Sequence, residues 1–244
     1  VTTPVVVFDV IDSTNAEARR QAELGEAGPL WFTAARQTAG RGRRGRVWDS
    51  PTGNLAATYL FTTAKPPAEA AQVSFVAALA VHDLATSLGA RATVKWPNDL
   101  LLNGRKAGGI LVESGQGGVG LWVAVGIGVN LVVAPAPATD AATAPTSFRV
   151  EGFEAPTPAA ALAILDRSLG HWLALWNAEG FPAIAAAWTL RAHGLGQTCT
   201  ARLPAETVSG IAEGLDDDGA LKLRLSDGAL RRITAGDVFF SGAT

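Results

Sequence analysis

The sequence predicts an α+β protein with a small all-β unit at its C-terminal end. Two observations carry this. Through residue 193, strand-like and helix-like patterns alternate without the regular β-α-β-α order of a parallel sheet. After Gly194-Leu195-Gly196 the texture changes to short strands separated by Asp-Gly turns. A third observation bounds the class: among 244 residues, 48% are hydrophobic, 17% are charged and the net charge is −2. That supplies ample core material and excludes both a disordered chain and a globally basic nucleic-acid binder. The expected division is 1–193 and 196–244.

Taken in order, Val5 to Phe8 is a β-branched run that predicts a strand. Thr14 followed three residues later by Glu17 has the form of a capping box, so a helix is expected from there to about Ala27, stopped by Gly28-Pro29. Leu30 to Ala35 and Leu55 to Thr62 predict strands. A long helix is expected over Ala68 to Leu88, and a strand stub over Thr93 to Trp96, ended by Pro97. Asn103-Gly104 is a strong hairpin signal, because both central residues of the turn need positive φ. Val119 to Val129 predicts a buried central strand. Ala134 to Pro158 is rich in Ala, Pro and Thr without periodicity and reads as a long surface loop. Helices are expected over about Ala159 to Asn177 and Phe181 to His193, and tail strands near 198–203, 207–213, 220–226 and 229–234. The longest apolar stretch is too short to cross a bilayer. The first residues lack a signal-peptide pattern, which leads to an expected cytoplasmic location. One cysteine and three scattered histidines argue against a disulfide framework or a structural zinc site.

Three constellations carry chemistry. In Gly40-Arg41-Gly42-Arg43-Arg44-Gly45-Arg46, glycines permit close backbone approach and arginines offer forked donors to phosphate or carboxylate. Four cations this close repel one another, so the loop is expected to be mobile until an anion arrives. It lacks the Gly-Lys-Ser/Thr ending of a Walker loop. Trp48 could stack on a flat ligand or simply be core. The second is Lys95-Trp96-Pro97-Asn98-Asp99 with the hairpin and Lys106-Ala107-Gly108-Gly109. Regular alternation around the turn sets Lys106 opposite Leu101 and Gly108 opposite Asp99, so Asp99, Leu101, Lys106 and Gly108 are expected on one face. The third is Gly126-Ile127-Gly128-Val129-Asn130, where two glycines interrupt an apolar strand, either for a packed neighbour or for a ligand. Cys199 reads as a buried apolar residue.

Together and in this order, Ser13-Thr14-Asn15, Gln37 through Arg46 with Trp48, Lys95 through Asp99, Lys106 with Gly108-Gly109, and Gly126 through Asn130 resemble biotin protein ligases. The tail resembles that family's small SH3-like domain. The resemblance implies a class II synthetase-like mixed sheet and an enzyme that activates biotin with ATP and magnesium, then transfers it to a lysine of a biotin carboxyl carrier protein. With the pattern beginning by residue 5, it implies the ligase-only type without a DNA-binding helix-turn-helix. DNA and membrane partners are not expected, and monomer and homodimer stay open.

By the same resemblance, Ser13, Thr14, Asn15, Gln37, Gly40, Arg41, Gly42, Arg43, Lys106, Gly108, Gly109, Gly126 and Gly128 are expected to bind biotin. Arg41, Arg43, Arg46, Trp48, Lys95, Asn98, Lys106 and Asn130 are expected to bind ATP. Lys106, Arg43 and Asp99 are expected to be catalytic, with Lys106 at the carboxylate–phosphate junction and Asp99 receiving the acceptor ammonium. Metal ligands are not assigned. A lipoate-protein ligase or octanoyl transferase is the nearest alternative, but lipoate has no ureido group for Ser13, Thr14 and Gln37 to read. An RNA-binding module using the arginine loop is a distant one, disfavoured by 7% aromatic content and net negative charge.

Overall fold

The computed structural model describes residues 1–137 and 143–240. In chain order the elements are β1 (Val5–Ile11), α1 (Thr14–Glu23), β2 (Leu30–Gln37), β3 (Leu55–Thr63), α2 (Pro67–Ala70), α3 (Val73–Ser87), β4 (Ala92–Lys95), β5 (Asp99–Leu102), β6 (Arg105–Gly117), β7 (Gly120–Val129), α4 (Pro158–Glu179), α5 (Phe181–Thr189), β8 (Thr198–Arg202), β9 (Thr207–Leu215), β10 (Leu221–Arg224), β11 (Leu230–Ile233) and β12 (Asp237–Phe240). The first seven strands form one mixed sheet in the order β1-β2-β3-β7-β6-β5-β4. Only β1 and β2 are parallel, because α1 carries the chain back between them; every other neighbouring pair is antiparallel.

Alternation along β3 and β7 assigns the two faces of this sheet. Leu55, Ala57, Val123, Val125, Ile127 and Val129 point into the large core shared with α3, α4 and α5. Leu60, Trp122 and Ala124 point the other way, against Ala18 and Ala22 of α1. That second face also carries Thr58, Gly126 and Gly128, and the cleft lies there. The tail strands make a five-stranded antiparallel sheet, β11-β10-β9-β8-β12, consistent with an SH3-like domain. Cys199, Ala201, Leu221, Leu223 and Val238 bury its inner side. The Trp96 indole N–H donates to the Gly219 carbonyl at 3.0 Å and ties this sheet to the first.

Several elements differ from expectation. Ser13, not Thr14, is the N-cap of α1: its backbone is extended and its hydroxyl accepts from the Ala16 N–H at 3.4 Å. Thr14 is the first helical residue, free to turn its hydroxyl toward the cleft. The helix ends at Glu23, short of Ala27. The long helix over 68–88 is broken into α2 and α3, with short i to i−3 bonds from Gln72 to Glu69 and Ser74 to Ala71 at the joint. The last helix stops at Thr189. A fifth tail strand, β12, pairs with β8. The 134–158 stretch contains no helix or strand among its described residues before Pro158, where α4 begins, but it is not merely a surface excursion: Thr146, Ser147 and Phe148 are fully buried. Residues 138–142 of that stretch lie outside the described residues.

Candidate active site

A cleft of about 420 Å³ opens on the α1 face of the sheet. Its floor is bare where β7 carries glycine. A Cβ at Gly126 would stand 2.2 Å from Asn15 Oδ1, and one at Gly128 would stand 2.4 Å from the Trp48 ring. These glycines let Asn15 and Trp48 lie against the strand, so of the two early alternatives the structure shows the packed neighbour.

One end of the cleft is neutral and wired by hydrogen bonds. The Thr14 N–H and hydroxyl both donate to Gln37 Oε1, at 2.8 and 3.1 Å, and Gln37 Nε2 donates to Ser50 Oγ at 2.8 Å. The Thr58 hydroxyl lies 2.8 Å from Thr14 Oγ1 and 2.7 Å from Asn15 Oδ1. Asn15 Nδ2 donates to Glu113 Oε2 at 2.8 Å and to the Leu111 carbonyl at 3.2 Å. Ser13, Thr14, Asn15, Ser50 and Thr58 are all buried. Buried polar groups of this kind are kept only when satisfied, and here each fixes the next. Thr58, Ser50 and Glu113 were missed in the sequence. Thr58 had a readable signal, a polar residue at a cleft-facing position of an otherwise apolar strand; Ser50 had none.

The other end is charged. Lys106 Nζ is 2.5 Å from Asp99 Oδ1 and 5.7 Å from the centre of the Trp48 ring. Lys95 is buried and donates to Thr143 Oγ1 at 2.6 Å; burial pushes its ammonium down, partly opposed by Asp99. Arg43 reaches Asn98 Oδ1 at 3.3 Å and the Gly236 carbonyl at 3.4 Å. Burial lowers its guanidinium too, against the pull of Asp237 and Asp99. Asn98 donates to the Ile110 carbonyl at 2.5 Å, which leaves its side-chain oxygen for Arg43.

The arginine loop has a partner that its sequence neighbourhood did not show. Asp237 of β12 is 2.7 Å from Arg46 and 3.3 Å from Arg44. A carboxylate from the tail thus offsets the repulsion expected to keep the loop mobile, and the loop makes a short helical turn over Arg43–Gly45 with an Arg41–Val47 bridge. Arg41 leans instead toward Glu113, 3.8 Å away.

The hairpin register corrects one expectation. Asp99 pairs with Gly109 and Leu100 with Gly108, while Leu101 pairs with Lys106, so the register shifts between Leu100 and Leu101. The extra residue, Ala107, resets the alternation. Lys106 and Asp99 still meet, but Gly109, not Gly108, is the glycine beside them: a Cβ on Gly109 would lie 3.2 Å from Trp48 and 3.6 Å from Lys106 Nζ, whereas one on Gly108 would face Leu100.

Of the other residues singled out, Arg41, Gly42, Arg46, Lys95, Asn98 and Gln37 all line the cleft. Gly40, Gly108 and Asn130 stand behind its wall. Gly40 has no room for a side chain beneath the Trp48 carbonyl. Asn130 is buried and donates to the Thr146 carbonyl at 3.0 Å, while Asn54 Nδ2 approaches its side-chain oxygen at 3.4 Å. Cys199 is buried in β8, and burial pushes its thiol up to about 11, which leaves no thiolate nucleophile for an acyl-transfer reaction.

No group of three or more His, Cys, Asp or Glu among the described residues is placed to hold a metal. The carboxylates of Asp99, Glu113 and Asp237 are already engaged by cations or amides. The described residues therefore do not form a protein cage for the magnesium that the resemblance implies. No described helix is long and apolar enough to cross a membrane.

Comparison with known proteins gives the same architecture a family. Residues 7–130 match the model of the biotin/lipoate A/B protein ligase family, and residues 194–241 match that of the biotin protein ligase C-terminal domain. A biotin–[acetyl-CoA-carboxylase] ligase of Paracoccus denitrificans is 47% identical over 95% of this chain and 98% of its own length. The bifunctional ligase/repressor BirA of Escherichia coli is 31% identical over 98% of this chain and 74% of its own length. Among solved structures, a biotin protein ligase from Aquifex aeolicus in complex with biotin and ATP superposes with a TM-score of 0.83 at 23% identity, covering 98% of this chain and 99% of that one, which speaks to the fold. One from Leishmania major in complex with biotinyl-5-AMP gives 0.66 at 25% identity, covering 95% and 99%. The chain belongs to the biotin/lipoate A/B protein ligase family.

Proposed function

We propose that this chain is a biotin protein ligase. In the first step a biotin carboxylate oxygen attacks the α-phosphorus of ATP, forming biotinyl-5′-AMP and releasing pyrophosphate. In the second, a lysine amine of a biotin carboxyl carrier protein attacks the acyl carbon, and AMP leaves. The observation that carries this reading is that a single cleft joins a neutral hydrogen-bonding end to a cationic end. Ser13, Thr14, Asn15 and Gln37 suit the ureido ring, which a purely apolar pocket could not orient. The cleft beside Asn15 and Trp48, which Gly126 and Gly128 let pack against β7, suits the thin apolar part of the ligand.

At the charged end two anionic groups must meet, which they cannot do unaided. Lys106 supplies the positive charge at the junction, and Arg41, Arg43 and Arg46 surround the phosphates. Lys95, Asn98 and the Trp48 ring complete the nucleotide side. Asp99, paired with Lys106 before ligand binds, is placed to hold the acceptor ammonium and help it lose a proton. Residues 1–193 supply both halves of the cleft, and 196–244 close it through Asp237. The loop from Gly40 to Arg46 closes on the adenylate by trading Asp237 for phosphate. We place the reaction in the cytoplasm.

Calorimetric titration with biotin and with lipoate, each with and without ATP, tests the reading. Biotin should bind and lipoate should not, and ATP with biotin should release pyrophosphate. Equal binding of the two acids would overturn it. Limited trypsin digestion tests loop closure, since biotin plus ATP should protect Arg41 to Arg46.

A further inference from the structure

Lys106 is held from two sides. On one side its strand pairs with β5 through Leu101. On the other, the pairing of β7 with β6 reaches only as far as Gly108. The lane beside Lys106 is filled instead by residues 144–146. The Lys106 N–H donates to the Ala144 carbonyl and the Thr146 N–H donates to the Lys106 carbonyl, each at 2.8 Å. This segment is not part of any helix or strand, so something other than a regular ladder must fix it against the hairpin.

Asn130 holds the Thr146 carbonyl from the β7 side at 3.0 Å, and Glu151 ties the segment to the β5–β6 hairpin. Its carboxylate accepts from the Thr146 hydroxyl, from Asn103 Nδ2 at 2.8 Å in the hairpin turn, and from Arg105 at 2.5 Å, the residue preceding Lys106. Its backbone N–H donates to the Ser147 carbonyl at 3.0 Å. The Glu151 side chain is only 5% exposed. Burial would raise its carboxyl, but the hydrogen bonds from Thr146 and Asn103, with Arg105 beside them, hold it below the usual range and keep it ionised. An exposed ion pair contributes little; a buried carboxylate accepting from three separate points of the chain is a clasp.

We propose that Glu151 is a positioning residue for Lys106: it clamps the 144–146 segment to the β5–β6 hairpin and so sets where the lysine stands in the cleft. This rests on the biotin-activation reading for its consequence, since the geometry of Lys106 matters most when carboxylate meets phosphate. A displacement of about 1 Å at a reacting centre can cost on the order of 100-fold in rate.

The test uses the full chain with Glu151→Ala and Glu151→Gln. Hydrogen exchange at the Lys106 and Thr146 amides reads the clasp directly, without ligand. Single-turnover pyrophosphate release reads adenylation, and calorimetry reads biotin affinity. In Glu151→Ala both amides should exchange faster and adenylation should fall by about 10- to 100-fold, while biotin binds as before. Glu151→Gln, which still accepts from Thr146, should recover most of both. Faster exchange with unchanged adenylation overturns the proposal. So does a fall in adenylation matched by an equal fall in biotin affinity and melting temperature, which marks a purely structural role. A wild-type chain that releases no pyrophosphate overturns the biotin-activation reading instead, and the exchange data still decide whether Glu151 holds the segment.

Discussion

The two ends of the cleft solve opposite problems. At the first end, Ser50, Gln37, Thr14, Thr58 and Asn15 form a continuous chain of hydrogen bonds that runs on to the Glu113 carboxylate, and Thr58 within it is wholly buried. At the charged end, Lys106 is 29% exposed and Arg41 49% exposed, and their partners are carboxylates that a more strongly bound anion can displace. A neutral ligand group gains little from charge and much from fixed donors and acceptors, so that end is pre-set. An anion arriving with its hydration shell gains from cations that can reorganise around it. On the proposed function, the difference assigns recognition to the first end and chemistry to the second.

The strongest way to break this comparison is at Lys106. Lys106→Ala should lose about 10²- to 10³-fold in adenylate formation and recover partly when given preformed biotinyl-adenylate. Asp99→Ala should still form the adenylate but transfer it poorly to a carrier lysine. Two single-turnover assays, one per half-reaction, separate them; loss of the same step to the same degree in both variants means the roles are not divided across the hairpin.

Next in size is the floor between the ends. Gly128→Ala drives a methyl into the Trp48 ring and Gly126→Ala drives one into Asn15. Overpacking of this kind costs about 1–3 kcal/mol, and here it should appear mainly as lost biotin affinity. Gly118→Ala, with nothing within 4 Å, is the control and should bind normally. If all three variants bind alike by calorimetry, the ligand does not lie along β7.

At the neutral end, Gln37→Ala removes the acceptor for Thr14 and the donor to Ser50. It should weaken biotin by about 1–3 kcal/mol through unpaired buried groups, with the adenylation rate at saturating biotin little changed. A variant that keeps its affinity but loses rate would reverse the assignment of recognition and chemistry to the two ends.

The smallest effect separates two neighbouring arginines. Arg44 is 47% exposed and makes one ion pair with Asp237, so Arg44→Ala should change the unfolding free energy read by urea titration by less than about 1 kcal/mol and leave adenylation near normal. Arg43→Ala, beside Asn98 and inside the cleft, should weaken retention of the adenylate and slow its formation. Equal losses in the two would show that the loop acts only as a diffuse positive field.

By itself the sequence determined the elements whose causes are local. The Asn103-Gly104 turn is there because both residues take positive φ, 49° and 77°. The interrupted β7, the mixed order of helices and strands, and the blocks that mark the family are likewise properties of neighbouring residues. Most of the cleft could be read the same way: Ser13, Thr14, Gln37, Arg43, Lys95, Asp99 and Lys106 all line it. What only the tertiary structure decided depends on partners far apart in the chain. A single bulge at Ala107 reset the alternation and put Gly109 in the place expected for Gly108. Asp237 became the counter-charge of the arginine loop, and the 143–148 segment, with Thr143 and Pro145 lining the cleft and Thr146 to Phe148 buried behind them, became a wall of the site rather than an excursion. Periodicity and turn chemistry are written in consecutive residues, whereas the phase of a strand after a bulge and the charge opposite a loop are fixed only when distant segments pack together.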